Sequence, residues 1–133
     1  MTSKQSGPSD DKTNILADVK NEDYCYLTTT GRVSGKLHEI EIWFGTQGTN
    51  TLYLLAGSGE DSDWVKNLSK NPNVTVRIGK QTFNGMAHIV HDELEELMAR
   101  HLVARKYQGW EDGQPLSEWG RTALVIAVIL DKN

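Results

Sequence analysis

The run Ala-Leu-Val-Ile-Ala-Val-Ile-Leu, within residues 121–130, constrains the fold more than any other part of this chain. It is continuous, apolar and rich in β-branched residues, and it is far shorter than the roughly 20 residues that span a bilayer. A strand with one wet face would alternate apolar and polar residues, and this run does not. We therefore predict a central strand of a sheet, buried on both faces.

Five further segments have the composition or the alternation of strands: residues 23–30, 37–44, 51–56, 73–78 and 81–90. The polar residues 45–50 are predicted to be a turn, so that the first three strands form an antiparallel meander. Gly79-Lys80 predicts a tight hairpin turn between the fourth and fifth strands, and Gly85 predicts a bulge or a bend. Six antiparallel strands of this kind indicate a small, partly open β-barrel.

Three segments have helical patterns. Residues 13–20 predict a short amphipathic helix on the outside of the core, and residues 61–71 predict a helix that begins at Asp61 or Ser62 and ends before a proline. Residues 92–107 are acidic at their start and basic at their end, which suits the helix dipole. The apolar stripe of this last helix is predicted to face the core and consists of Leu94, Leu97, Met98 and Leu102.

The composition, 38% hydrophobic and 24% charged, fits one globular domain at residues 13–133 after a polar, disordered tail at residues 1–12. The net charge of -4 argues against binding to nucleic acid or to an anionic membrane. The single cysteine, Cys25, excludes an intramolecular disulfide and a cysteine-based metal cage. Because no secretory signal pattern or membrane span is visible, we expect a cytoplasmic protein.

A basic turn bracketed by glycines joins the first two predicted strands. Residues 31–36 read Gly-Arg-Val-Ser-Gly-Lys and bring together two cations, a hydroxyl and backbone N–H groups. An anion cradle is built from such groups. An ordinary exposed hairpin loop has the same composition, so both interpretations stay open.

A second glycine-rich loop, residues 57–59, leads from the third strand into a helix. Helix N-termini bind phosphate, but the acidic residues within 60–63 already complement the dipole and would repel an anion. We therefore place the phosphate at Arg32 and predict that the glycines let the backbone approach a flat ligand. A plain strand-to-helix linker is the alternative.

Hydrolysis, phosphoryl transfer and metal chemistry find no support in the motifs of this chain. It contains no Gly-x-Ser-x-Gly elbow and no Walker or Rossmann pattern, and its histidines, apart from His88 and His91 at a strand end, lack metal-ligand spacing. Residues 108–120 contain Trp110 and Trp119, so this segment either packs over the barrel or covers a pocket. A barrel with an anion cradle and many aromatic residues indicates that a bound cofactor carries the chemistry.

Several short motifs follow one another in the order and at the spacing of a known family. They are Thr-Thr-Gly-Arg-Val-Ser-Gly at 29–35, Ala-Gly-Ser-Gly at 56–59, Trp-Val-Lys-Asn-Leu at 64–68, Asn-Pro-Asn-Val-Thr-Val at 71–76 and Tyr-x-x-Trp at 107–110. With them the chain resembles the flavin/deazaflavin oxidoreductases, in particular the deazaflavin-dependent nitroreductase branch of the superfamily that includes pyridoxamine-phosphate-oxidase-like proteins. The resemblance covers about residues 24–130 and implies a mainly β (α+β) fold, a six-stranded antiparallel split β-barrel with flanking helices.

Proteins of this family bind coenzyme F420, and some relatives bind FMN, haem or fatty acids. They pass a hydride to quinones, nitroaromatics or other activated electrophiles. The resemblance therefore implies an F420-dependent oxidoreductase with a small-molecule substrate and with FMN as the alternative cofactor; a non-catalytic carrier of flavin, haem or lipid is the alternative function. It also implies a homodimer with packed barrel faces, which suits exposed sheet edges and four tryptophans.

The resemblance also implies roles for single residues. Arg32, Ser34 and Gly35 match the phosphate-binding turn, while Ala56, Gly57 and Ser58 match the backbone along the deazaflavin ring. Trp64 and Asn67 match the helix beside the cofactor tail, Trp43 matches an aromatic position beside the ring, and Tyr107 and Trp110 match the substrate pocket. Tyr107 is the expected proton donor.

The chain departs from the family pattern at several positions. Val33 and His38 stand where the family has basic residues, and Glu41 stands where it has a proline. Gly113 stands in place of a third pocket tyrosine, and Ser58 or Gly59 in place of a lysine. Lys36 and a protonated His38 are expected to replace part of the missing positive charge.

Overall fold

The computed structural model describes residues 14–132, in which seven strands and three helices occur. The strands are β1 (Cys25–Thr30), β2 (Leu37–Ile42), β3 (Gly45–Gln47), β4 (Thr51–Ala56), β5 (Asn73–Ile78), β6 (Gln81–Ile89) and β7 (Leu124–Leu130). The helices are α1 (Asp63–Lys70), α2 (Glu93–Gln108) and α3 (Glu118–Thr122), and one 3-10 turn, Gly59–Asp61, precedes α1. The tail predicted for residues 1–12 lies outside the described residues.

The strands form one antiparallel sheet in the order β2-β1-β5-β6-β7-β4-β3, which curls into a half-barrel. The predicted mainly β split-barrel class is therefore confirmed. β7 lies between β6 and β4, and its residues Val125, Ile126, Ala127 and Val128 have no exposed surface. The prediction of a central strand is confirmed, although Ile129 is 40% exposed.

The predicted strand count and the predicted meander are corrected by the structure. Gly45–Gln47, predicted as part of a turn, forms β3 and pairs with the first half of β4. Gly48 has a φ of 66°, a left-handed conformation that suits the turn after β3. Phe44, which follows β2, is completely buried, and its burial takes the chain out of the β1–β2 ladder. As a result β4 pairs with β3 and β7, while β2 is the outer neighbour of β1.

The helix predicted for residues 13–20 is wrong, because residues 15–21 form a series of turns. The Val19 N–H donates to the Leu16 carbonyl at 3.1 Å, a bond across three residues, and the Asn14 side chain accepts from the Leu16 N–H at 3.2 Å. A segment this short gains few helical hydrogen bonds for the entropy of its first turn. Leu16 and Val19 nevertheless belong to the main core.

The predicted core face of α2 is confirmed for Met98 and Leu102, which pack against the core, and is wrong for the other two residues. Leu94 is 79% exposed and Leu97 46% exposed, and the buried residues of this helix are Ala99, Val103 and Ala104. These small side chains pack on the outside of β3, β4 and β7. A Cβ atom at Gly45 would lie 3.3 Å from the side chain of Val103, so the helix approaches the sheet closely. Only small residues fit at that distance.

The bulge that Gly85 was predicted to mark, as one alternative to a bend, is absent. The pairing register of β6 with β5 runs without a shift through this residue, and the pairing of β6 with β7 begins at it. A Cβ atom on Gly85 would lie 2.7 Å from the backbone oxygen of Ile129. The glycine is needed because β7 approaches β6 so closely at this point.

Candidate functional site

The turn at residues 31–36 is closed by its own hydrogen bonds. The Gly31 N–H donates to the Lys36 carbonyl at 2.7 Å, the Gly35 N–H donates to the Gly31 carbonyl at 2.9 Å, and the Lys36 N–H donates to Ser34 Oγ at 3.1 Å. Gly35 has a φ of 76°, a left-handed conformation that few other residues adopt without strain. Glycine at 35 therefore shapes the turn.

The backbone of this turn retains two N–H groups for an external anion. Those of Val33 and Ser34 have no acceptor among residues 14–132, whereas the Arg32 N–H donates to Asn67 Oδ1 at 3.1 Å. The turn therefore offers fewer N–H groups to an anion than a turn whose N–H groups are all free. These groups adjoin the Arg32 side chain.

The Arg32 guanidinium reaches across to the first turns of α1. Its Nη1 donates to Asn67 Oδ1 at 2.9 Å, and its Nη2 lies 3.3 Å from Asp63 Oδ1. Asn67 is buried and donates in turn to Thr29 Oγ1 at 3.2 Å, so it is held in place from β1. The Arg32 side chain remains 34% exposed and can still accept a ligand oxygen.

A cavity of about 520 Å³ opens beside this arginine. Predicted site residues in its lining are Arg32, Ser34, His38, Trp64 and Asn67. A Cβ atom on Gly31 would lie 2.9 Å from His38 Nε2 and 3.0 Å from Ser34 Oγ, so glycine lets these groups converge on the turn. We call this cavity the Arg32 cleft. Lys36 and Gly35 are not among the residues that line it.

Aromatic residues surround a second cavity, of about 290 Å³, which we call the aromatic cavity. Trp43 and Trp119 lie in its lining with a centroid distance of 5.6 Å and an edge-to-face angle of 89°. Leu55 of β4 and Ile42 of β2 complete its apolar walls. The predicted role of Trp43 beside a ring is compatible with this position.

Strand β2 connects the two cavities. His38, Glu39 and Ile40 line the Arg32 cleft, and Glu41 and Ile42 line the aromatic cavity. The opposite walls come from Leu55 of β4 and from Asp63, Trp64 and Asn67 of α1. Six residues of a strand span about 20 Å. We call the two cavities, together with the strand β2 that both of them border, the seam; it has a cationic end and an aromatic end.

The loop at residues 57–59 meets a flat group that belongs to the chain itself. A Cβ atom on Gly57 would lie 3.3 Å from both Cδ1 and Nε1 of Trp119. Ala56 is buried at the end of β4, while Gly57 and Ser58 are exposed. A close approach to this backbone was expected from a ligand, and in the structure the indole of Trp119 occupies that position.

Tyr107 lies beneath the aromatic cavity and does not line it. Its ring stacks on Trp43 with a centroid distance of 4.4 Å, and its hydroxyl accepts from the Phe44 N–H at 3.1 Å and lies 2.9 Å from the Asp23 carbonyl. Burial raises the pKa of this phenol to about 12. These contacts place the Tyr107 ring against Trp43 and its hydroxyl on backbone groups, and the role as proton donor stays a prediction.

The position of Trp110 also does not match the substrate-pocket role that was predicted for it. Its ring stacks on His101 of α2 at a centroid distance of 4.1 Å, and its Nε1 donates to the Gln114 carbonyl at 2.8 Å. Arg105 covers the ring at 4.9 Å. Trp110 therefore packs on the outer side of α2 and not on Trp43.

Trp119 lines the aromatic cavity but was not assigned a site role from the sequence, which predicted only that its segment packs over the barrel or covers a pocket. The Ser117 hydroxyl caps α3 by accepting from the Gly120 N–H at 3.0 Å, and Arg100 of α2 donates to the carbonyls of Gly120 at 3.1 Å and Ala123 at 2.7 Å. These bonds hold Trp119 over Gly57. The one local signal in the sequence is a serine N-cap before Glu-Trp-Gly, which predicts a helical turn but not what it covers.

Residues 14–132 contain no helix that is long and apolar enough to cross a membrane. Within the same residues, no group of three or more histidine, cysteine, aspartate or glutamate side chains is arranged to hold a metal ion.

Comparison with solved structures supports the fold. A proposed pyridoxamine 5'-phosphate oxidase from Listeria innocua is 20% identical, with a TM-score of 0.68 over 90% of this chain and 93% of that chain. A proposed 5-nitroimidazole antibiotic resistance protein from Bacteroides thetaiotaomicron is 22% identical, with a TM-score of 0.65 over 98% and 81%. An F420-H2-dependent reductase is 24% identical, with a TM-score of 0.62 over 80% and 93%. At these identities the similarity establishes a common fold.

A family assignment comes from the sequence comparison. No curated protein matches the chain. The family model for F420H(2)-dependent quinone reductases, in contrast, matches residues 9–130, which include the whole seam. The chain therefore belongs to the F420H(2)-dependent quinone reductase family.

Proposed function

We propose that the protein is an F420-dependent oxidoreductase that reduces a small electrophile of the quinone, nitroaromatic or enone type. One observation carries this proposal: the cavity beside the Arg32 turn and the cavity beside the Trp43–Trp119 pair border the same strand, β2. An elongated cofactor with a phosphate and a flat ring has a group suited to each of them. The family assignment names the cofactor class.

The residues of the seam fit such a cofactor. Arg32, the Val33 and Ser34 N–H groups and His38 are proposed to hold the phosphate, with Trp64 and Asn67 beside the tail. Trp43 and Trp119, which contact each other edge to face, are proposed to form an aromatic wall against which the ring packs. When bound, reduced F420 supplies the hydride. The chain's own residues supply binding, orientation and exclusion of water.

The route of a proton to the substrate needs a group that faces the aromatic cavity. The Tyr107 hydroxyl is bonded to backbone groups, and this residue does not line the cavity. The titratable side chains that line the cavity are Tyr24 and Glu41. Glu41 accepts a hydrogen bond from the Tyr26 hydroxyl at 3.1 Å, which orients its carboxylate. We propose that the product receives its proton from Tyr24 or from water.

Binding and turnover test this function separately. F420 and FMN are titrated in parallel into the protein, and oxidation of reduced F420 by a benzoquinone and a nitroaromatic compound is then followed by absorbance without oxygen. We expect F420 to bind more tightly and quinone to oxidise it only when protein is present. Tight binding without turnover would favour a carrier, and preference for FMN would favour the alternative cofactor.

A further inference from the structure

The aromatic cavity contains a single charged side chain. Its lining consists of Tyr24, Glu41, Ile42, Trp43, Leu55 and Trp119. The part of the chain that the structure describes contributes no lysine, arginine or histidine to this wall, so nothing in it balances the Glu41 carboxylate. A ligand that enters the cavity therefore meets an excess of negative charge.

The register of the sheet places the Glu41 side chain on the face of β2 that borders the cavity. Glu41 is opposite Tyr26 of β1, and side chains that are directly opposite each other share one face of a sheet. Trp43 follows Glu41 by two residues, the spacing at which an extended chain directs side chains to the same side. Glu41 is exposed, so its carboxylate lies at the mouth of the cavity.

Hydrogen bonding holds this carboxylate without neutralising it. The Tyr26 hydroxyl donates to Glu41 Oε2 at 3.1 Å. The Arg77 guanidinium lies over the Tyr26 ring at 4.2 Å, but its Nη2 is 3.6 Å from Glu39 Oε2, so its charge is paired with Glu39. Within residues 14–132 Glu41 itself forms no ion pair. The negative charge at the mouth is thus held in position and uncompensated.

The aromatic walls favour the same kind of ligand. Trp43 and Trp119 meet edge to face at 89°, and Tyr24 adds a third ring to the lining. The faces of aromatic rings attract cations, and aromatic cages bind quaternary ammonium groups in this way. Rings next to a carboxylate therefore suit a flat cation. A volume of about 290 Å³ lies at the small end of the range for ligand pockets and suits a single substituted ring.

We propose that the aromatic cavity selects the electrophile by charge, with Glu41 as the specificity-determining residue. An aromatic electrophile that carries a pyridinium or quaternary ammonium group is favoured over a neutral one, and a neutral one over an anionic one. This charge selection rests on the proposed function, which brings the substrate to the cavity. At about 5 Å in water-like surroundings, one unit charge changes the affinity for a charged ligand by about fourfold.

Three 4-nitrobenzyl compounds of nearly equal size test this selection: one carries a trimethylammonium group, one a tert-butyl group and one a sulfonate. Each is titrated at low salt into the protein without cofactor, and binding is followed by quenching of tryptophan fluorescence. We expect the cation to bind about fourfold more tightly than the neutral compound and the anion to bind about fourfold more weakly.

Two isosteric variants assign the selection to one residue. Glu41→Gln removes the charge and should leave folding intact because the residue is exposed, which circular dichroism checks. It should reduce each of the two affinity ratios to below about twofold, the part left to the aromatic walls. Glu118→Gln removes an equal charge from the exposed residue that precedes Trp119 and lies outside the lining, and it should leave both ratios nearly unchanged.

Turnover distinguishes failure of the charge selection from failure of the proposed function. With reduced F420, kcat/KM for the three compounds should follow the order of their affinities. No turnover with that order of affinities intact would contradict the proposed function and support the charge selection of the cavity. Equal affinities in the wild type, ratios that persist in Glu41→Gln, or an equal loss of selection in Glu118→Gln would each overturn the proposal.

Discussion

The Nη2 atom of Arg32 lies 3.3 Å from Oδ1 of Asp63, so the arginine of the cleft is already paired with a carboxylate of the same chain. The Asp63 side chain is 87% exposed, and a pair in that setting contributes at most about 1 kcal/mol. A phosphate is therefore able to replace the aspartate at low cost, but it meets the negative charge of Asp63 when it does. Asp63 is expected to limit the affinity of the cleft for anions.

Replacing Asp63 by asparagine should tighten binding of F420 or FMN by up to about fivefold, which corresponds to an exposed ion pair worth ~1 kcal/mol. The change removes the competing charge and keeps a side chain of the same size. Calorimetric titration at low and high salt measures it. Asp61→Asn is the control, since it removes an equal charge in the preceding turn. An equal gain in affinity in both variants would mean that the acidic charges act on the ligand through long-range electrostatics. Weaker binding in Asp63→Asn would mean that Asp63 positions Arg32.

Removal of the Arg32 side chain should weaken binding of the same ligands by about 1.5–3 kcal/mol, the usual contribution of a charge-assisted hydrogen bond. The free energy of unfolding should change by no more than about 1 kcal/mol, because an exposed ion pair contributes little and the backbone bond to Asn67 remains. Lys36→Ala is the control within the same turn, and it should have a small effect because Lys36 does not line the cleft. Unchanged affinity in Arg32→Ala would contradict the placement.

Local sequence patterns predicted where the strands and helices of this fold lie better than they predicted which face of each element is buried. The alternation at 37–44 and the apolar run at 121–130 correspond to β2 and β7. In α2, however, periodicity identifies a leucine stripe without telling which side meets the sheet. Because Gly45 lets the helix approach the sheet closely, the side of α2 that carries Ala99 and Val103 packs on the sheet. That distance is a tertiary property, and no local pattern contains it.

Prediction of the candidate site from local sequence patterns has the same limit. Residues of the Arg32 cleft that lie within one hairpin were predictable, since Gly31, Ser34 and His38 are neighbours in sequence. Trp119 is far along the chain from Gly57, and it reaches that glycine only because Arg100 anchors the end of α3. The role predicted for Tyr107 depended on a free hydroxyl, and the backbone bonds that occupy it are invisible in the sequence.

Trp119 should contribute more to ring binding than Trp110 does. Trp119→Leu is expected to weaken binding of F420 or FMN by about 0.5–1.5 kcal/mol, the typical contribution of an aromatic pair. Binding should also quench tryptophan fluorescence less in this variant than in the wild type. Trp110→Leu is the control, because Trp110 packs on His101 outside the seam. Tighter binding in Trp119→Leu would show that the indole over Gly57 blocks the ring.

A half-buried lysine and a buried cysteine should give stability opposite dependences on pH in overlapping ranges. Burial lowers the pKa of Lys106 from 10.5 to about 8, while its Nζ donates to the carbonyls of Lys20 and Phe44. Between these values the unfolded chain binds a proton that the folded chain has lost, so this lysine makes stability rise with pH. Burial raises the pKa of the Cys25 thiol from 9.0 to about 12. There the folded chain keeps the proton, and stability falls as pH rises from 9 to 12.

Urea unfolding at pH steps from about 7 to 12 separates the two effects. The free energy of unfolding should gain from Lys106 above pH 8, level off above pH 9 where Cys25 opposes this gain, and decline above pH 10, where Tyr107 adds its loss between its ordinary pKa of 10.0 and about 12. Lys106→Met should remove the rise, and Cys25→Ala should flatten the decline although it lowers stability at neutral pH by leaving a cavity. Lys80→Met, at an exposed turn, is the control for loss of one amine. A decline that is as steep in Cys25→Ala as in the wild type would assign the alkaline instability to other groups, and the thiol would then have no part in it.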